Sequence, residues 1–310
     1  MSRDPGRRAA LWRRLGPVLA LVLVAAIAAY VFSDPRRLRA LARLDPVSLA
    51  AAWVTVLLSL AASARLFQLV LARVGARAGF GDMLLLQNAG TVLSLFPFKG
   101  GSVLRALYLR QRYGLEVEKL GVFFGFLLLL SIGVSSAAAA LVFAGSGELA
   151  GRRWLLIALL AALALGSLAV AAAPAPPFLA RWRRLERLDE LRRAATARPG
   201  AWLAPAGWVI VQFAVAAARI AVLYRGVGVA LTAAEALVLA ALGSAALAVA
   251  ITPAALGVRE LVLGGGAAAL GLTMEVGLLV ALVERAVVLV WALVVGLPAT
   301  VVLLGRVRRG

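Results

Sequence analysis

Charged residues inside apolar stretches are the part of this sequence with the clearest chemical meaning. Arg65, Arg219, Glu284 and Arg285 each lie within such a stretch. A charge at the centre of a membrane costs about 2.5–3.5 kcal/mol on insertion scales, so each of these side chains needs a partner or a use. Glu284 and Arg285 are neighbours and point about 100° apart on a helix. The sequence therefore predicts separate partners for them, with Arg65 or Arg219 pairing with Glu284.

Two interpretations of these charges stay open. In the first they make structural polar contacts between helices, or, for Arg65 and Arg219 near the ends of their stretches, extend to the membrane interface. In the second they coordinate an anionic headgroup or phosphate inside a cavity. Both fit the residue types and their depth.

A second group of candidate residues surrounds a break in an apolar stretch. Pro97 ends the run Met83–Phe96, and a helix starting near Ser102 would direct free N–H groups and its positive end toward an anion. Glycine at such a place lets the backbone approach a ligand closely. With the cations beside it, the break predicts a phosphate site. Its residues are Lys99, Gly100, Gly101 and Arg105.

A similar break occurs at Pro253, in the stretch that follows Leu231. Gly257, Arg259 and Glu260 then begin the segment Leu261–Leu272, where the same helix-terminus argument applies. Asn88, at membrane depth before the first break, is a further polar candidate. Such amides more often bridge helices than bind ligands.

The composition of the chain limits the chemistry these residues can perform. Of its 310 residues, 63% are hydrophobic, against about 45–50% in a typical soluble domain, so the chain is an integral membrane protein. It contains no Cys and no His, which excludes disulfides, thiolate nucleophiles and imidazole-based metal or triad chemistry. No P-loop sequence is present. We expect no cofactor and no metal.

The elements that must position the candidates are predicted to be helices. A stretch of about 20 apolar residues spans a membrane, and the sequence contains six. It also contains two apolar stretches that Pro and Gly interrupt, and the arms of these stretches are too short or too bent to span the membrane as straight helices. The predicted fold is all-α: one polytopic transmembrane domain, residues 1–310, with about six full spans and two re-entrant hairpins. The spans are Leu15–Phe32, for which a secretory signal is the alternative, Ser48–Leu71, Leu120–Phe143, Trp154–Ala173, Leu203–Tyr224 and Glu275–Leu304.

An internal repeat relates the two broken stretches. Ala64-Arg65-Leu66 matches Ala218-Arg219-Ile220, and an ordered series of further matches follows at offsets between 152 and 157 residues. The further matches pair Gly75 with Gly228, Pro97 with Pro253, Arg105 with Arg259, and Gly114 with Gly271. The sequence thus predicts two halves, 48–144 and 203–304. Broken hydrophobic segments at corresponding places in two halves are typical of transporter binding sites.

The distribution of charge predicts the orientation of the chain. With the N-terminus in the cytoplasm, 22 of the 33 Lys and Arg residues lie inside, 8 outside and 3 within spans. Both termini are then cytoplasmic, the two hairpins open to opposite sides, and the repeat is inverted. The net charge of +19 therefore indicates orientation and anionic lipid, with no nucleic acid as partner. The halves are predicted to be joined by the span Trp154–Ala173 and by a basic amphipathic connector, residues 178–198, which lies on the cytoplasmic leaflet.

The ordered motifs resemble the transmembrane region of lysylphosphatidylglycerol synthase and its stand-alone relatives. The resemblance rests on three motifs: Asn88 followed by Pro97-Phe98-Lys99-Gly100-Gly101 with Arg105, then Leu256-Gly257-Val258-Arg259-Glu260, then Glu284-Arg285. It implies two re-entrant hairpins and movement of lipids or lipid-linked glycans between leaflets. Bifunctional relatives add a soluble synthase domain, which we do not expect here. The chain departs from the family pattern around Pro253, where many relatives have Pro-Gly-Gly.

Three functions remain open at this stage. The first is flipping or scrambling of an anionic lipid or lipid-linked glycan in the cytoplasmic membrane, along a cationic path between the halves. The second is a membrane-embedded lipid-modifying transferase, for which Glu260, Glu284, Glu235 and Asp82 are the candidate bases without a recognisable catalytic spacing. The third is a non-transporting membrane subunit. Membrane lipids are the expected partners, with a homo-oligomer or a partner enzyme left open.

Overall fold

The computed structural model describes residues 45–94, 100–146, 153–172, 199–249 and 257–309. Within these ranges the chain is helical, with turns between the helices and no strand, which confirms the predicted all-α class. Several predictions fall outside the described residues: the span Leu15–Phe32, the break residues Pro97, Lys99 and Pro253, and the connector 178–198.

Ten helices are described, and their bounds lie close to those of the predicted apolar stretches. A short 3₁₀ turn, Pro199–Trp202, precedes α6, and a π-helical stretch, Ala292–Gly296, joins α9 to α10. The helices are α1 (Pro46–Arg73), α2 (Phe80–Ser94), α3 (Gly100–Tyr113), α4 (Val117–Gly145), α5 (Arg153–Ala172), α6 (Leu203–Gly226), α7 (Ala233–Val249), α8 (Val258–Ala269), α9 (Met274–Trp291) and α10 (Leu297–Arg309).

Four helical segments of the described part are long and apolar enough to cross a membrane. They are α1, α4, α6 and the continuous segment Met274–Arg306 formed by α9, the π-helical stretch and α10. The arms of the predicted hairpins are shorter. At 1.5 Å per residue, α2 spans only about 22 Å and α7 about 26 Å, against a hydrocarbon core about 30 Å thick. α5 is longer, with 20 residues and a length of about 30 Å.

Local sequence explains where the first long helix begins. Asp45 is its N-cap, and its carboxylate accepts hydrogen bonds from the backbone N–H groups of Val47 at 2.8 Å and Ser48 at 3.2 Å. These bonds, above all the one from Val47, lower the pKa of Asp45. Pro46 stands at the first helical position, where its missing N–H costs nothing. The sequence Asp-Pro thus fixes the start of α1.

The same kind of turn ends α1 and α6. Gly75 and Gly228 both have positive φ, 88° and 84°. The N–H of the residue after each glycine donates to a carbonyl five residues back, from Ala76 to Leu71 at 3.2 Å and from Val229 to Tyr224 at 3.0 Å. This is the Schellman motif, which needs glycine because the left-handed conformation is strained for other residues. These two glycines are matched in the sequence repeat.

A π-helical stretch interrupts the last segment near its middle. Pro298 follows it in the sequence, and proline has no N–H to donate to the carbonyl four residues earlier and its ring crowds that carbonyl. Widening the helix by one residue over Ala292–Gly296 accommodates this defect. Gly296 faces α2 closely, since a Cβ there would lie 2.6 Å from a methyl of Val92 and 2.9 Å from the carbonyl oxygen of Asn88.

Helices of each predicted half pack against helices of the other half. α1 lies along α6, and the two run antiparallel: the N-terminal part of α1 shares a hydrophobic cluster with the C-terminal part of α6, and the C-terminal part of α1 shares a second cluster with Val209 and Trp202. α2 packs on α10 and the π-helical stretch, whereas α7 packs on α4. The first arm of each predicted hairpin therefore contacts a long helix of the opposite half.

Candidate functional site

A buried carboxylate held by two arginines lies at the centre of the described helices. Glu284 on α9 is 1% exposed. One oxygen accepts a hydrogen bond from Arg219 Nε on α6 at 2.9 Å, and the other accepts from Arg259 Nη2 on α8 at 2.7 Å. Arg219 also donates to the hydroxyl of Ser59 on α1 at 3.3 Å. Glu284 lies about 15 Å along the last segment from Met274, inside the stretch Met274–Arg306 that is apolar enough to cross a membrane.

A second ion pair lies beside the first. The Arg285 guanidinium Nε is 2.7 Å from Glu260 Oε1. The other oxygen of Glu260 accepts from the backbone N–H of Gly257 at 2.8 Å and so caps the start of α8. Gly257 has a positive φ of 81°, which glycine adopts without strain. Glu284 and Arg285 therefore have separate partners, and of the two arginines predicted for Glu284 the partner is Arg219.

Two adjacent cavities share one wall, which Glu284 and its partners Arg219 and Arg259 form. The smaller, about 170 Å³, lies between α4, α6 and α7 and is lined by small polar groups such as Ser131, Ser135 and Ser244. The larger, about 330 Å³, lies between α1, α2 and α9 and is lined by Thr91, Ser94 and apolar side chains. Both cavities are bordered by the same four residues. These are Ser59, Arg219, Arg259 and Glu284.

Close packing between α8 and α9 sets the position of both ion pairs. A Cβ on Gly277 would lie 2.8 Å from the Cα of Gly264 and 2.8 Å from the Cβ of Ala267, so the two backbones approach at these residues. A Cβ on Gly266 would meet Leu242 on α7 at 2.8 Å. Small residues that allow such approach are characteristic of membrane helix interfaces. Packing therefore explains Gly264 and Gly266 of the glycine-rich run of α8, whereas nothing lies within 4 Å of a Cβ at Gly265.

Arg105 on α3 occupies a separate place in the fold. Its guanidinium lies against Gly90 of α2, where a Cβ would come within 2.7 Å of Cζ, and its Cζ is 5.8 Å from the centre of the Phe67 ring. Among the described residues, its buried Nε has no hydrogen-bond partner. A cation over an aromatic face at this distance is attracted by the ring. The side chain borders neither of the two cavities described above.

The remaining candidates make contacts between helices or within one helix. Asn88 accepts a hydrogen bond from Trp291 Nε1 at 2.9 Å and thereby bridges α2 and α9. Gly101 packs directly on Gly90 and Ser94, and Gly100 begins α3 two residues earlier than predicted. Arg65 is exposed on α1 and donates to Gln68. The structure thus brings together Arg219, Arg259, Glu260, Glu284 and Arg285, and it places Arg65, Asn88 and Arg105 elsewhere.

Sequence reasoning missed the small polar residues of the cavity walls. Ser59, Thr91 and Ser94 border the larger cavity, and Ser131, Ser135, Gln212 and Ser244 border the smaller one. The available signal was weak, since a serine or threonine in a membrane helix often bonds only to its own backbone. Thr91, Ser94, Ser135 and Ser244 do donate to carbonyls three or four residues back.

The chemistry of the arginine cluster favours binding of an anion. The cluster consists of Arg219, Arg259, Glu260, Glu284 and Arg285. Its five ionisable side chains carry three positive and two negative formal charges, and guanidinium groups hold carboxylates and phosphates through paired N–H donors. In the described ranges, no group of three or more His, Cys, Asp or Glu residues could hold a metal.

The chain matches the family described as the lysylphosphatidylglycerol synthase TM region over residues 17–296. No curated protein matches it. The matched range contains every candidate residue of the cluster and both predicted hairpins.

Proposed function

This chain belongs to the lysylphosphatidylglycerol synthase TM region family, and from that premise we propose that it moves an anionic lipid, or a lipid-linked glycan, between the leaflets of the cytoplasmic membrane. The headgroup would pass the arginine cluster while the acyl chains remain in the bilayer. Since the sequence contains no P-loop, movement would be downhill, coupled to a gradient or driven by a partner.

The observation that carries the proposal is the shared wall of the two cavities. Arg219, Arg259 and Glu284 border both spaces, so a headgroup in either cavity would meet the same guanidinium groups. Ionisable residues at membrane depth are costly and typically mark a substrate pathway. A polar path for the headgroup beside apolar walls is what exchange of a lipid between leaflets requires.

The proposed architecture is an inverted repeat within one transmembrane domain, with halves 48–144 and 203–304 and two re-entrant hairpins, α2–α3 and α7–α8. Three features support it: the matched glycine turns after α1 and α6, the antiparallel contact of α1 with α6, and the packing of α2 and α7 on the opposite half. Gly114 and Gly271, after the second arms, also both have positive φ. Inverted repeats of this kind place substrate sites at their interface.

We also propose cytoplasmic N- and C-termini. Arg306 near the C-terminal end pairs with Asp82 at the start of α2, and the Tyr113 hydroxyl donates to Asp82 at 3.1 Å. Three segments assigned to the cytoplasm from charge therefore meet at one end of the bundle. At the other end, the charge of Arg225 contributes to the lowered pKa of Asp45, so the two residues lie near each other. Both residues are predicted from charge to lie outside. These groupings agree with the positive-inside rule.

Reconstitution in liposomes tests the function. Vesicles containing a fluorescent phosphatidylglycerol or phosphatidylcholine are treated with an impermeant quencher, and the fraction of label lost reports exchange between leaflets. We expect exchange of the anionic lipid to exceed the protein-free rate, and Arg219→Gln to reduce it at least tenfold. Arg225→Gln, on the same helix but exposed at its end, is the matched control and should retain exchange.

The result that would contradict the proposal is equally definite. Exchange equal to that of protein-free vesicles across a panel of anionic lipids and lipid-linked glycans would refute transport. Equal loss in the Arg219 and Arg225 variants would refute the assignment of the path to the buried cluster.

A further inference from the structure

The position of the Glu284 carboxylate is the starting point for a more specific inference. Its two oxygens accept from two different arginines, at 2.9 and 2.7 Å, and the group is almost completely buried. Two converging guanidinium groups are also the donor arrangement that recognises the two free oxygens of a phosphodiester. The carboxylate thus occupies a place where a phosphodiester would make the same hydrogen bonds.

The space beside these arginines suits a small headgroup. The larger cavity has a volume of about 330 Å³, at the lower end of the range of about 300–1,000 Å³ typical of small-molecule sites. Thr91 and Ser94 contribute to its wall on one side, and Val56, Leu60, Val288 and Leu289 contribute apolar surface. This volume suits a polar group of a few atoms better than an oligosaccharide.

The charge of the cluster favours a ligand with one negative charge. Arg219, Arg259 and Arg285 stand against Glu260 and Glu284, so these five side chains sum to +1. Charges in a medium of low dielectric constant are costly unless they are balanced. A monoanion brings this sum to zero, whereas a dianion would leave it at −1.

We propose that Glu284 is an internal competitor, which a monoanionic phosphodiester headgroup displaces from Arg219 and Arg259 on entering the larger cavity. The inference rests on the proposed lipid transport and narrows its substrate to lipids with a small phosphodiester headgroup. The carboxylate keeps the arginines paired when no lipid is present. Its competition also weakens binding, so that the headgroup can leave the site.

Binding to the purified full chain tests this competition. Isothermal titration calorimetry in a neutral detergent uses glycerophosphoglycerol as the phosphodiester probe and inorganic phosphate as the free-anion probe. Glu284→Gln, which keeps the size of the side chain and removes its charge, should bind glycerophosphoglycerol about tenfold more tightly than the unsubstituted chain, equivalent to about 1.4 kcal/mol. Arg259→Gln should bind it at least about tenfold more weakly, because a charge-assisted hydrogen bond is lost.

Glu275→Gln is the matched control, since Glu275 is exposed at the start of the same helix. It should leave the affinity unchanged. A folded Glu284→Gln variant that binds glycerophosphoglycerol no more tightly than the unsubstituted chain would overturn the competition. A gain for inorganic phosphate without a gain for the diester would overturn the assignment to a lipid headgroup.

A second measurement decides the question if Glu284→Gln does not fold. A phosphatidylglycerol carrying a photoactivatable group on its headgroup is cross-linked to the unsubstituted chain in vesicles. Cross-links to Val288 or Leu289 support the site, and cross-links confined to residues outside the cavity overturn it. If the binding results are as expected but vesicles show no transport, the proposed function alone is refuted. If vesicles show transport but the binding results are not as expected, the competition alone is refuted.

Discussion

The indole N–H of Trp291 donates a hydrogen bond of 2.9 Å to the side-chain carbonyl of Asn88, and both residues are buried. The same indole meets Trp53 of α1 edge to face, with ring centres 5.5 Å apart. One side chain at the end of α9 thus connects α1 and α2, next to the π-helical stretch and the larger cavity. These contacts hold the end of α9 against both helices.

Trp291→Phe should lower stability by about 1 kcal/mol, because it leaves the Asn88 carbonyl without its donor inside a membrane protein. Thermal unfolding of the detergent-solubilised chain measures the effect. Trp154→Phe is the matched control, since Trp154 is 56% exposed, and its shift should be smaller. Equal shifts in the two variants would show that the hydrogen bond contributes nothing measurable.

Gly277→Ala should destabilise the chain by about 1–3 kcal/mol, the usual cost of overpacking. The added methyl would meet the backbone of α8 at Gly264, which has no flexible end that could turn away. Gly265→Ala provides the control, because nothing lies within 4 Å of a Cβ there, and alanine favours the helix by up to about 1 kcal/mol. A melting temperature as high for Gly277→Ala as for Gly265→Ala would contradict the close packing of α8 and α9.

Arg219→Gln should destabilise the chain by about 3 kcal/mol, since it removes one of the two cations that balance a buried carboxylate. Adding Glu284→Gln to it should cost less than the sum of the single changes, with a coupling of about 1–3 kcal/mol. A double-mutant cycle based on thermal unfolding measures this coupling. Strict additivity would mean that the 2.9 Å contact carries no energy.

The sequence alone predicted the helices more completely than it predicted the cluster. Apolar stretches gave α1, α4, α6 and the last segment to within a few residues, because length and hydropathy alone decide a membrane helix. Glu284 was also linked to Arg219 as one of two choices, since a buried carboxylate needs a cation. Its second partner, Arg259, was not predicted, because the direction of that side chain depends on how α8 starts at Gly257 and packs on α9.

The repeat assigned the same role to Arg65 and Arg219, and the structure places them differently. Arg219 meets Glu284, whereas Arg65 is exposed and donates to Gln68. The reason lies in the last long helix of each half, which is α4 in the first half and the segment containing α9 in the second. Interior positions of α4 between Lys119 and Gly145 include no Asp or Glu, so Arg65 has no counterpart of Glu284 there. Similarity of position did not imply similarity of partner.

The orientation of the chain can be tested without removing any native thiol, because the sequence has no Cys. Arg77→Cys and Ala230→Cys each place one thiol at an exposed site, in the turns after α1 and α6. α1 and α6 run antiparallel, so these turns should lie on opposite sides of the membrane. In intact cells an impermeant maleimide should label Ala230→Cys, whereas Arg77→Cys should react only after the membrane is opened. Labelling of both thiols in intact cells, or of neither, would contradict the antiparallel arrangement, and labelling of Arg77→Cys alone would reverse the proposed orientation.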